Sequence, residues 1–350
     1  MPTLSDFWRT KRANSENQKM IFSAPAKTIT PIAVLPLIQS AENRQGFEMN
    51  FFSANGKDNI VKYKYLQRGL ESDNINTPTG MDYCTGDREI AYLEGSKECN
   101  LYKARKFFIS DEDLRKNEEN YDTYFSERLA SEIDPMLVGI NKDMIAGFEA
   151  ARGNTSAGTT VPLTAQGFVS FATREVNMAF HDTVVSEFQD LSYNGRLMMA
   201  AAGLVRNYAN VLDYGGLNDK GQVVDMRLIE DMFAYGYDAT LDAAIGTPNN
   251  ALIWQPGSFQ FLECLKNVAE FRRVVTDVRI QDTIRVQVGD MEVALDITIV
   301  DEYCSKEGQG KRVTIEKHYA FWNYDTDVFQ VGDPLAGVNW LERFVMTAGA

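Results

Sequence analysis

One stretch of this chain admits few folds. Between positions 280 and 321 apolar residues recur at every second position. Ile280, Ile284, Val286 and Val288 form a first run, and Met291, Val293, Leu295, Ile297 and Ile299 a second. Val313, Ile315, Tyr319 and Phe321 form a third, with Lys317 in the same phase. A period of two is the side-chain period of a strand, not of a helix. Gly289-Asp290 between the first two runs is a hairpin signal. A Gly-rich loop at 305–310 parts the second from the third. The pattern predicts an antiparallel three-stranded meander with one buried face.

Upstream the period changes. Tyr121, Phe125, Leu129, Ile133 and Leu137 recur every four residues, and Met144, Ile145 and Phe148 extend them into the stripe of a long helix over 110–151. Asp111, Glu112 and Asp113 behind Ser110 suit a helix start. Pro135 predicts a kink or a restart, with Asp134 as the cap, and Gly153 ends the helix. Further helices are expected over 165–191, 226–245 and 258–268, the last capped by Ser258. Residues 196–212 fit either a close-packed helix or a buried strand. Ala251-Leu252-Ile253-Trp254 reads as a short buried strand before a Gln255-Pro256-Gly257 turn.

The first third is harder to shelter. Residues 1–54 look like an extended arm in which Pro25, Pro31 and Pro36 break any helix. Phe7, Trp8, Ile21, Phe22 and Ile29 are too many large apolar side chains for a purely disordered tail, and Arg9, Lys11, Arg12, Lys19 and Lys27 make the segment locally basic. Such a segment gains order on a neighbour. Residues 59–108 form a β-excursion that starts at Ile60–Leu66 and includes a turn-rich 71–87; a loop this long in a compact protein is usually functional. Phe7, Trp8, Arg9, Ile21, Phe22, Tyr63, Tyr65 and Tyr83 are therefore the candidate assembly-interface residues.

The search for chemistry returns little. The chain of 350 residues has two histidines. His181 falls in an expected helix, and His318 on the polar face of the third strand with Arg312, Thr314 and Glu316. Neither has a nucleophile or a second ligand at a useful spacing. Zincin, nucleophile-elbow and phosphate-loop motifs are missing. Gly308-Gln309-Gly310 sits between strands, not at a helix start. Asp213 to Asp219 fails the spacing of a calcium loop. No carboxylate pair stands out, so no catalytic, cofactor-binding or metal residue is assigned. The net charge of -14 disfavours a generic nucleic-acid grip, yet it suits a lining that encloses nucleic acid without holding it. No apolar run reaches the roughly 18 residues of a membrane span, and the first residues lack a signal-peptide layout. Folding in a cytosol is expected. Cys84, Cys99, Cys264 and Cys304 form no C-x-x-C pair; Cys84 and Cys99 could face each other across a hairpin, and both are expected to be reduced.

The order of these parts resembles the tailed-bacteriophage major capsid family, whose fold encapsulins share. The most family-like text is Ala251-Leu-Ile-Trp-Gln-Pro-Gly-Ser-Phe-Gln260, similar to a strand, a Pro-containing turn and a helix found in many members. The resemblance implies an α+β fold. It divides into an N-terminal arm (1–54), an extended loop (55–108) and a spine helix of a peripheral domain (109–159). A mainly axial domain (160–277) follows, then a β-meander and C-terminal segment shared by both domains (278–350). It implies a non-enzymatic subunit that assembles into hexamers and pentamers of an icosahedral shell around double-stranded DNA, without sequence-specific binding and without a membrane. It places the protein in a virion assembled in the host bacterial cytoplasm, with separate scaffolding, portal and decoration proteins as further partners. The β-excursion begins too early to leave room for the roughly 100-residue cleaved scaffolding segment of many members. No Lys–Asn pair can be matched for a cross-link between subunits. An encapsulin-like nanocompartment shell, and an uncharacterised soluble enzyme or binding module, are the competing readings.

Overall fold

The structure is a computed structural model. It describes residues 30–40, 43, 48–50, 60–66, 92–112, 121–152, 169–172, 184, 188–189, 195–202, 233–264, 279–288, 291–306, 308–323 and 341–347. The fold is α+β, and among the described residues it comprises three sheets and a long helix. Among the described residues, no helix is long and apolar enough to cross a membrane.

The predicted meander forms. Strands β10 (Arg279–Val288), β11 (Met291–Cys304) and β12 (Gly308–Asn323) are antiparallel, and Val288 pairs with Met291 as a two-residue connection requires. The other edge of β12 carries β4 (Leu101–Ser110), so these residues belong to the large sheet and not to an excursion from it. The fifth strand is β9 (Phe259–Cys264), and its register is instructive. His318 and Tyr319 of β12 pair with Tyr102 and Leu101 on one side and with Cys264 and Glu263 on the other. β11 last pairs at Asp296–Glu316. β12 therefore exchanges one neighbour for another around Lys317. Up to that point its burial alternates; beyond it His318, Tyr319, Ala320, Trp322 and Asn323 are all buried.

Helix α2 (Tyr121–Ala151) lies on the apolar face of this sheet. Phe125, Leu129, Ile133, Leu137, Met144, Ile145 and Phe148 share one core with Phe107, Ile109, Leu295, Ile297, Ile299, Val313 and Ile315. Pro135 lies inside one continuous helix, so no restart occurs there. Asp134 instead accepts the Thr30 N–H at 3.1 Å. Burial along the helix on either side of Pro135 offsets the missing hydrogen bond. Ser110 closes β4, its Oγ accepts the Glu112 N–H at 3.2 Å and residues 111–112 are helical as expected; residues 113–120 lie outside the described residues, and α2 is described from Tyr121.

The second five-stranded sheet is mixed, in the order β5 (Val169–Ala172), β13 (Leu341–Thr347), β8 (Asn250–Trp254), β6 (Leu197–Ala201), β7 (Phe233–Tyr237). The pairs β5–β13 and β6–β7 are parallel. Every residue of β6 and β8 is buried. Most corrections to the sequence reading fall here. Residues 169–172 are strand, not helix. Residues 233–237 are strand too, because Phe233, Tyr235 and Tyr237 alternate and pair alongside β6; of the helix expected over 226–245, residues 226–232 lie outside the described residues, and among the described ones the helical part is the short α3 (Leu241–Ile245). It ends at Gly246, whose φ of 83° suits a residue without a Cβ. Within the helix expected over 258–268, residues 259–264 are strand β9, and 265–268 lie outside the described residues. Ser258 directs both its N–H and its Oγ to the Gln255 carbonyl, at 3.1 and 2.7 Å. That turn carries the chain from the second sheet into the large one.

The remaining sheet is three-stranded and antiparallel: β1 (Glu48–Asn50), β2 (Ile60–Leu66) and β3 (Tyr92–Glu98). It touches β9 and β12, near buried Val61 and Cys99. One more expectation fails. Within the supposed arm, Val34–Gln39 is helix α1 despite Pro36. Pro36 is its third residue, where the N–H has no partner inside the helix in any case. Ala33, Val34, Leu35 and Ile38 are buried in the chain's own core, so these residues need no neighbour for shelter.

Candidate functional site

The assembly candidates divide into two groups. Phe7, Trp8, Arg9, Ile21, Phe22 and Tyr83 lie outside the described residues, as do His181, Cys84 and the 213–219 turn. Tyr63 and Tyr65 stand on β2, where Tyr63 pairs with Met49 and Gly95, and Tyr65 with Leu93. Among the described residues the candidates are therefore these two, on one strand. Exposed large side chains occur elsewhere: Tyr303, 74% exposed near the end of the β11–β12 hairpin, and Tyr102, 48% exposed on β4. The hairpin end is held by ion pairs, Lys311 to Asp301 at 2.7 Å and Arg312 to Glu302. Partly exposed pairs of this kind contribute little stability.

The most elaborate polar site in the described structure is one that the sequence did not reveal. It receives residues 30–40 and Asn43. The N–H groups of Ala33 and Val34 reach Asp238 Oδ2 at 2.9 and 3.2 Å, and the Leu35 N–H reaches Asn141 Oδ1 at 2.9 Å. Asn141 Nδ2 donates to Asp238 Oδ2 at 2.8 Å and to Thr240 Oγ1 at 2.9 Å. Thr240 gives Asp238 Oδ1 both its N–H and its hydroxyl. The first donors of α1 are thus capped by side chains of α2 and of the β7–α3 turn, in place of a local cap. Asp238 carries five donated bonds and is 1% exposed, which satisfies a buried carboxylate without a cation.

The far end is fixed as fully. Asn43 Nδ2 donates to the carbonyls of Ile38 and Phe259 at 2.9 and 3.0 Å. Asn43 Oδ1 accepts from Trp254 Nε1 and the Gly257 N–H, at 3.0 and 3.2 Å. Gln260 Nε2 donates to the Asn43 backbone carbonyl at 2.6 Å. Between the two ends, Phe148 meets Trp254 and Phe259 edge-on, and Phe259 stacks on Phe321 at 5.7 Å between centroids. This aromatic cluster joins the helix to both large sheets.

Ionisable groups near α2 are paired. Lys317, 1% exposed, donates to the Ala294 carbonyl at 2.7 Å and lies 3.0 Å from Glu263, which also accepts from Gln39 at 2.6 Å. Asp143 accepts from Lys103 and from the Tyr319 hydroxyl. Burial and the adjacent carboxylate push the Tyr319 phenol well above its ordinary range. Arg343 pairs with Glu149 at 2.6 Å, yet burial draws its guanidinium below the usual value. His318, expected on a solvated face, is 8% exposed with its ring 4.6 Å from Tyr102. These arrangements hold charges in place and expose no activated nucleophile beside a base. Among the described residues, no cluster of three His, Cys, Asp or Glu side chains could hold a metal. Cys99 carries a buried thiol 3.9 Å from the Leu262 carbonyl.

No family model matches the chain, and neither does any curated protein. Solved structures do. One of Mycobacterium phage Che8 is similar with a TM-score of 0.40 and 11% identity, over 85% of this chain and 92% of that one. The capsid structure of Staphylococcus phage Andhra gives 0.41 and 8%, over 85% and 82%. The head structure of Helicobacter pylori bacteriophage KHP40 gives 0.41 and 7%, over 85% and 86%.

Proposed function

We propose that this chain is a structural, non-catalytic subunit of a tailed-phage head, assembling with copies of itself into hexamers and pentamers around double-stranded DNA. One observation carries this reading. The arrangement that supports it is a three-stranded sheet early in the chain, a 31-residue helix laid along an antiparallel sheet, and a second, mixed sheet on the same core. The net charge of -14 fits a shell that encloses DNA without gripping it. Repeated weak contacts suffice in such a shell, because multivalency multiplies them. Residues 1–29 and the β1–β3 sheet are the proposed intersubunit contacts, with scaffolding, portal and decoration supplied by separate proteins in the host cytoplasm.

Electron microscopy of the purified protein tests the proposal. Closed particles or ring-shaped capsomers are expected; a small monodisperse species at all concentrations would reject it. Deleting residues 1–29 stops just short of the Thr30–Asp134 contact. The truncated chain should keep its fold by circular dichroism and lose closed shells. Normal shells from it would remove the arm from the proposal.

A further inference from the structure

We infer that residues 30–40 together with Asn43 are a strap that engages as one cooperative unit and ties the second sheet to the helix and the large sheet. The inference does not depend on shell formation. Its basis is the distribution of anchors. At one end Asp238 and Asn141 take three successive backbone N–H groups from Ala33 to Leu35. At the other, Asn43 joins Ile38, Trp254, Gly257, Phe259 and Gln260. Between them Val34, Leu35 and Ile38 are at most 1% exposed, and Gln39 reaches the Lys317–Glu263 pair. The partners come from α2, the β7–α3 turn, β8, β9 and the turn joining those two strands. Each anchor is itself buried, so a strap released at one end would leave that end's polar groups unpaired in a slot the rest of the strap still closes to water, whereas full release lets water reach them all. Leaving several such groups unpaired at once costs more than leaving the strap wholly in or wholly out, and that is the physical source of the cooperativity.

The fit is also steric. A Cβ on Gly236 of β7 would lie 2.7 Å from Ala33 Cβ, so only glycine lets the strap lie this close to the edge of the second sheet.

Hydrogen exchange of the full-length chain, read by peptide, tests this. Asp238→Asn perturbs the first end, Asn43→Ala the second, and Gly236→Ala pushes on the strap without removing a hydrogen bond. Each is expected to raise exchange by about tenfold or more at both 33–38 and 257–262, while 133–148 and 313–319 stay protected. Combining Asp238→Asn with Asn43→Ala should add little to the larger single effect. Loosening confined to the mutated end, or additive effects in the double variant, would overturn the inference. So would a rise spread evenly over the chain. If Asp238→Asn fails to fold, Gly236→Ala and Asn43→Ala decide the matter by themselves.

Discussion

The two five-stranded sheets bury their strands differently. In the large sheet, β11 from Ile297 to Val300 and β12 from Val313 to Glu316 alternate: Ile297, Ile299, Val313 and Ile315 share the core with α2, while Thr298 and Thr314 on the other face keep partial exposure. In the second sheet, β6 and β8 have no exposed phase, and Leu197-Met198-Met199-Ala200-Ala201 is buried at every position. The difference teaches where sequence periodicity carries information. A strand with one wet face writes its period into the sequence, and a strand covered on both faces writes only an apolar run.

Charge placement would break this comparison most sharply. In β6, Met199→Asp and Ala200→Asp lie on opposite faces, and both should destroy soluble folding, at a cost on the order of 3–5 kcal/mol or more for a buried unpaired charge. In β12 only one of two neighbours should do so: Ile315→Asp destroys folding, and Thr314→Asp shifts stability by less than about 1 kcal/mol. Soluble yield and circular dichroism check all four. A tolerated Met199→Asp or Ala200→Asp would mean that one face of β6 is wet after all.

Next in size is the point where β12 changes from one regime to the other. Lys317 occupies an apolar phase of the alternation and is buried against Glu263 where β11 gives way to β9. Lys317→Met strands the carboxylate, with an expected loss of roughly 3–5 kcal/mol by denaturant melts. Adding Glu263→Gln should recover most of it, since a neutral amide still accepts from Gln39. A double variant as unstable as Lys317→Met would show that the lysine acts through packing on Phe261 and not through charge.

These contrasts also explain what the sequence disclosed. The meander and the long helix were legible because each buries one face and leaves the other polar. At 169–172, 233–237 and 259–264 the sequence predicts helix and the structure has strands. In each, aromatic and small residues sit in short runs whose pairing partners are distant in the chain, as Phe259–Cys264 finds Asn323–His318. The polar strap site was invisible for a related reason. Asp238, Asn141 and Asn43 are about 100 to 200 positions from one another or from the backbone that they hold, and side chains of that kind are equally common on surfaces. One clue was available: Asn141 interrupts the inward stripe between Ile140 and Met144, and a polar residue at such a position must find a buried partner. The α1 helix was hidden by Pro36, which forbids a helix interior but not a first turn.

A moderate effect probes how the helix meets the large sheet. A Cβ on Gly147 would lie 2.5 Å from the Phe321 ring. Gly147→Ala should therefore cost about 1–3 kcal/mol through overpacking, although alanine favours the helix. The penalty should shrink in a Phe321→Leu background, measured as a double-mutant cycle. Strict additivity would show that the ring moves aside freely and that the contact is not a close-packed one.

The smallest effect belongs to the solvent-facing side of the same sheet. Tyr102 donates to Glu316 at 3.1 Å, and partial burial followed by that carboxylate pushes its phenol up to about 12 from the ordinary 10. Raising the pKa of an acid means that the folded state favours the neutral ring. The associated stability is fully present below pH 10 and is lost as the pH climbs from 10 towards 12. With the side chain about half exposed, solvent screens most of it. Tyr102→Phe should cost less than about 0.5 kcal/mol at pH 7, and thermal melts should show a slightly shallower decline between pH 10 and 12 than in the parent chain. Tyr319, hydrogen-bonded to Asp143 on the covered face, contributes its own alkaline loss to both proteins, so only the difference reports on Tyr102. Identical pH profiles would mean that the Tyr102–Glu316 contact makes no difference in solution, as expected of a wet face. A loss above about 1 kcal/mol would mean that this face is covered, which is what contact with a second copy of the chain would produce.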